Sequence, residues 1–185
     1  MGTDHPDTDH PDIDHPEIDR TLLATYVEDH VAGATAVISR LERLSRVEEI
    51  GDMREPLGRL AAELREERAT HMATARDLEL SLSRLKRVGA VLGEHVARLK
   101  PNGRVGGRSP MSLVLELEII RSGLEGKRMG WVTLREHADA LELDVARLEH
   151  FITRSRDQAD RVEHLAARAR ERAFAPHLGT TSADD

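Results

Sequence analysis

The chain has 185 residues, 39% hydrophobic and 33% charged, with a net charge of -7, 2% aromatic residues and no cysteine. That length suits one domain with a sizeable core. Scarce aromatics favour helices over sheets, and the acidic balance argues against wholesale binding to nucleic acid or an anionic membrane. Without cysteine there are no disulfides, thiolate metal sites or Cys nucleophiles.

The N-terminus carries a five-residue repeat, DHPDT, DHPDI, DHPEI, with His5, His10 and His15 among many carboxylates. Proline at every fifth place blocks a helix, and little there can be buried. Residues 1–17 are expected to be a disordered tail. Residues 175–185 read as a second one. Neither end has the pattern of a signal peptide, and no apolar run is long enough to cross a bilayer, so a cytoplasmic location is expected.

Between the tails, residues 18–174 carry apolar stripes at helical spacing. The first spans residues 18–48, with Leu23, Val27, His30, Ala34, Val37, Leu41 and Leu44 on one side; His30 is its polar member. The second, over 53–78, is capped by Asp52 and lines up Leu57, Leu60, Leu64, Glu67, His71, Thr74 and Leu78. A third pattern, over 82–99, ends at Pro101 and Gly103. Ser109 and Pro110 then open a helix over 110–138 that buries Leu113, Leu117, Ile120, Leu124, Trp131 and Leu134. Gly123, Gly126 and Gly130 recur on another flank of it, which suggests that a neighbouring backbone comes close. The last helix, over 141–174, has a seam of Val145, Leu148, Ile152, Ser155, Ala159, Val162, Ala166 and Ala169. Its flanking Glu149, Arg156 and Glu163, seven residues apart, read as a ladder of ion pairs.

Each stripe needs a partner, so the predicted fold is an all-α, antiparallel four-helix bundle with one additional shorter helix. Sharing of the stripes between chains as a coiled coil, in a homo-oligomer or with a protein partner, is the competing arrangement.

Interior polar residues are the candidate site. His30, Glu67 and His71 sit near the middle of neighbouring helices, where an unpaired polar group costs a few kcal/mol. They are read first as a hydrogen-bonded layer that sets helix register. Two imidazoles and a carboxylate also form a ligand set for zinc or iron, with Glu116 or Glu149 as completions. This pattern resembles the ferritin-like superfamily, whose bundle takes a Glu from each of two helices and Glu-x-x-His from each of the other two. Glu67 and His71 are one residue further apart than that motif. Asp29–Thr35, reading DHVAGAT, and Gly123–Lys127, reading GLEGK, are similar to segments of actinobacterial bundle proteins, a likeness that implies a fold and no activity.

A second candidate is basic. Arg84, Lys86, Arg87, Arg98, Lys100, Arg104 and Arg108 face only Glu94 in this stretch, a patch suited to an anion or an acidic partner. It lacks the aromatics for base stacking, so nucleic acid is not expected. No P-loop or nucleophile motif is present. The reading is a non-enzymatic structural or interaction protein with no cofactor, and a divergent metal-binding bundle holding iron or zinc is the alternative.

Overall fold

A computed structural model describes residues 18–80 and 110–175. Among these residues the protein is entirely helical: α1 (Arg20–Leu44), a 3-10 segment (Glu48–Met53), α2 (Arg54–Asp77), α3 (Pro110–Glu136) and α4 (Val145–Phe174). The expected helix over 82–99 lies outside the described residues.

Local chemistry sets the helix ends. The Asp19 carboxylate accepts the amides of Thr21 and Leu22 at 2.9 and 3.0 Å, and that of Asp144 accepts Arg147 N–H at 3.2 Å, satisfying donors that a first turn leaves open. Asp52 does not cap α2 as expected. The 3-10 segment runs directly into α2, whose capping residue Met53 is itself helical, and the Asp52 carboxylate binds Arg168 and Arg172 of α4 instead. The turn between α1 and α2 passes through Gly51 at φ +57°, a conformation that a Cβ would penalise.

Cross-helix pairs give the directions. Along α1 and α2, Thr35 meets Arg68 and Glu42 meets Arg65. Along α1 and α3, Tyr26 meets Thr133, and Arg40 meets Glu116. Arg121 meets Glu163, and Arg135 meets Glu149, between α3 and α4; Asp52 with Arg168 and Glu67 with Arg154 join α2 to α4. In every pair, residue numbers rise on one helix as they fall on the other. Arg20 donates to the Leu78 carbonyl at one end of the molecule, whereas Arg40 and Arg43 hold Glu116 at the other. Leu80 and Pro110 therefore lie at opposite ends.

The core has two lobes. One is built around Leu41, Leu57, Leu60, Leu117, Ile120 and Val162, the other around Val27, Val31, Trp131, Leu134, Phe151 and Ile152. Buried polar residues lie between them.

Candidate functional site

The polar layer is centred on Glu67 of α2, Lys127 of α3 and Gln158 of α4, which are 2%, 9% and 0% exposed. Each occupies a core-facing position of its helix, and together they close a circuit. The Lys127 ammonium donates to Glu67 Oε2 and to the Gln158 side-chain oxygen. Gln158 Nε2 donates to Glu67 Oε1 at 2.7 Å and to Glu63 Oε2 at 3.0 Å. Arg154 Nε approaches Glu67 Oε1 to 3.1 Å, and Arg161 clamps Glu63. The Arg161 hydrogen bonds hold the Glu63 carboxyl down to about 2. Burial lowers the Lys127 pKa against the opposing pull of Glu67.

His71 lies one turn beyond Glu67 and is also buried. Its ring stacks on Trp131, centroids 4.2 Å apart, and Trp131 stacks in turn on Phe151 at 4.5 Å. Burial, together with electrostatic opposition from the neighbouring His30 and Lys127, pushes the His71 pKa down to about 4, so the ring is neutral at pH 7. Among the described residues the Trp131 indole nitrogen, also buried, has no hydrogen-bond partner.

His30 is half-buried rather than interior. Its Nδ1 lies 2.9 Å from the Tyr26 carbonyl oxygen, and its ring rests against Gly130. Two glycines of α3 are thus explained within the chain: a Cβ on Gly130 would fall 2.6 Å from His30 Cδ2, and one on Gly123 would collide with Val37. The third differs. Among the described residues nothing lies within 4 Å of a Cβ placed on Gly126.

Of the expected ligands, Glu67 and His71 are one turn apart on α2 and both buried, whereas the half-buried His30 ring packs against Gly130 of α3. Glu116 does not join them; it is held by Arg40 at 2.7 Å and Arg43 at 2.8 Å. Glu149 is on the surface, 3.3 Å from Arg135. Among the described residues no group of three or more His, Asp or Glu side chains is placed to share a metal ion. The carboxylate best buried for that purpose, Glu67, is already surrounded by cationic and amide donors, which oppose a divalent ion. The basic residues from Arg84 to Arg108 lie outside the described residues.

Two members of the layer escape the sequence reading. Lys127 stands on the α3 stripe between Leu124 and Trp131, and Gln158 stands three residues after Ser155 and four before Val162. Spacing alone marks both positions as interior. Glu28 of α1, which is off the apolar stripe read from the sequence, is also buried, at 2% exposed. Of the expected ladder of flanking ion pairs, Glu149 and Glu163 pair with Arg135 and Arg121 of α3.

No family model, curated protein or solved structure matches this chain. No described helix is long and apolar enough to cross a membrane. The depression lined by Ser45, Gly51, Asp52, Arg54 and Gly58 is open, sits at the α1–α2 turn and is remote from the polar layer.

Proposed function

We propose that this chain is a non-enzymatic, cytoplasmic helical-bundle protein of ferritin-like order that acts as a structural or protein-interaction module through its outer helix faces. The observation that carries this reading is the closure of the Glu67–Lys127–Gln158 layer. A carboxylate that receives an ammonium, an amide and a guanidinium is a poor base and a poor ligand, because each donor stabilises its charge in place. The surrounding rings are stacked rather than arranged about a cavity. A buried ionic layer of this kind suits register: sliding one helix by a turn would leave a charge unpaired in the core, at a cost of about 3–5 kcal/mol.

The helix directions support the ferritin-like order. Two neighbouring hairpins, joined by one connection that crosses the length of the bundle, make that arrangement, and Leu80 and Pro110 lie at opposite ends here.

Metal analysis of the purified full chain, alongside His71→Ala, tests the reading. Negligible bound iron or zinc in both proteins is expected. Stoichiometric metal in the parent that disappears in His71→Ala would overturn it in favour of the metal-binding alternative.

A further inference from the structure

Apart from its core-facing side, α3 carries a second apolar face that the described residues leave open. Leu115, Ile119 and Met129 are 52%, 47% and 43% exposed, and Ser122 and Gly126 fall between them on the same side. At these turns α3 therefore carries two apolar faces, one on the core and one outward, separated by flanks that hold Glu116 and Lys127 on one side and Glu118, Arg121, Glu125 and Arg128 on the other. The opposite side already holds Leu117, Ile120, Leu124 and Trp131 in the core.

The order of residues on the open face is self-complementary. Leu115 and Met129 stand seven residues either side of Ser122; Ile119 is three before it and Gly126 four after. A two-fold contact requires that residue i meet j while j meets i. Laid antiparallel on itself with the axis at Ser122, α3 sets Leu115 against Met129, Ile119 over Gly126, and the small Ser122 side chains at the crossing.

Gly126 gives this pairing its independent support. Gly123 and Gly130 make room for Val37 and His30, but among the described residues Gly126 makes room for nothing, although glycine weakens a helix interior. Gly33 of α1 stands in sequence between His30 and Val37, which meet Gly130 and Gly123 on either side of Gly126, and among the described residues a Cβ on it also meets nothing. The pair forms a notch that Ile119 of a second copy would fill.

Charge and size are compatible. The flanking carboxylates Glu118 and Glu125 are already paired with Arg170 and Arg128 of their own chain, which moderates repulsion across the axis. At about 1.5 Å per residue, α3 is about 40 Å long, and with the adjoining edge of α1 at a spacing of about 10 Å it offers about 800 Å² per protomer, the size of a stable interface.

We infer that the protein forms a two-fold dimer through the outer face of α3, with Ser122 at the axis and Ile119 seated in the Gly126 notch of the partner. This rests on the interaction reading above and names its partner as a second copy.

The full chain should show a monomer–dimer equilibrium in sedimentation, with a Kd of about 1–10 μM for a modest helical interface. Ile119→Asp, which changes an exposed residue and should retain the helical circular dichroism of the parent, should weaken it at least about 100-fold. Gly126→Ala should act with opposite signs, raising the urea midpoint of the monomer while weakening the dimer about 10-fold or more. Because the chain has no cysteine, Ser122→Cys should cross-link under mild oxidation and Thr153→Cys on α4 should not.

A parent that stays monomeric at about 100 μM, well above that Kd, overturns the pairing. So does a dimer indifferent to Ile119→Asp whose Ser122→Cys form links no better than Thr153→Cys. Either result leaves the non-enzymatic reading standing, since that one fails on His71-dependent metal.

Discussion

At Lys127 the balance between desolvation and pairing is local and can be tested directly. Its ammonium sits among Glu67 and Gln158 with little solvent. Lys127→Met should cost about 3–5 kcal/mol, because Glu67 would keep its charge with too few donors. Replacing Glu67, Lys127 and Gln158 together by Leu should cost less than that single change, since it removes the charges with their desolvation penalty. Equilibrium urea unfolding compares the two; a triple variant less stable than Lys127→Met would show that the layer contributes net stability. His71 adds a pH dependence. Its pKa falls from an ordinary 6.5 to about 4 in the folded chain, so below 6.5 the unfolded chain takes up a proton that the folded one does not. Stability should fall as the pH drops from 6.5 towards 4 and level off below, by an amount on the order of 3 kcal/mol in all. His71→Leu should remove that slope from urea midpoints measured across the window. The Glu63 carboxyl, held down to about 2, acts lower: its contribution is complete above 4.5 and is lost as the pH falls towards 2.

Among the elements, α3 is the most instructive because its glycines divide by role. Gly123→Ala and Gly130→Ala should each destabilise the fold by about 1–3 kcal/mol, read as a lower urea midpoint, since Val37 is β-branched and the His30 ring cannot retreat without leaving Tyr26. Measured below the association range, Gly126→Ala should stabilise by about 0.5–1 kcal/mol, because the new methyl meets nothing among the described residues. Equal effects at all three positions would contradict this division. The helices themselves were legible in the apolar stripes, to within a few residues at most ends. What spacing could not show was the α2 start: Asp52 looks like a cap, but Arg168 and Arg172, more than a hundred residues away in sequence, engage its carboxylate.

For the whole molecule, every described helix threads both core lobes and the layer between them, so the lobes should not unfold separately. Trp131 is the chain's one tryptophan and belongs to the lobe holding Val27 and Phe151. Its fluorescence in urea should therefore trace the same transition as the helical circular dichroism, which reports both lobes. A displaced fluorescence curve would show that the layer is a boundary between independent units.

Sequence alone determined the helical class, the helix-forming stretches and the presence of Glu67 and His71 in the interior, because periodicity depends only on which side of a helix each residue occupies. Lys127 and Gln158 also stand at stripe spacing, but the sequence reading passed over both, because a lysine or a glutamine in a row of apolar residues looks like surface. Partnership was decided by tertiary structure. Whether Glu67 faces a cation, an imidazole or a metal depends on which helices adjoin α2 and at what height, and no single stripe carries that information. The same holds for Glu116, legible as a border residue of its helix but assigned to Arg40 and Arg43 only when α1 and α3 are set side by side.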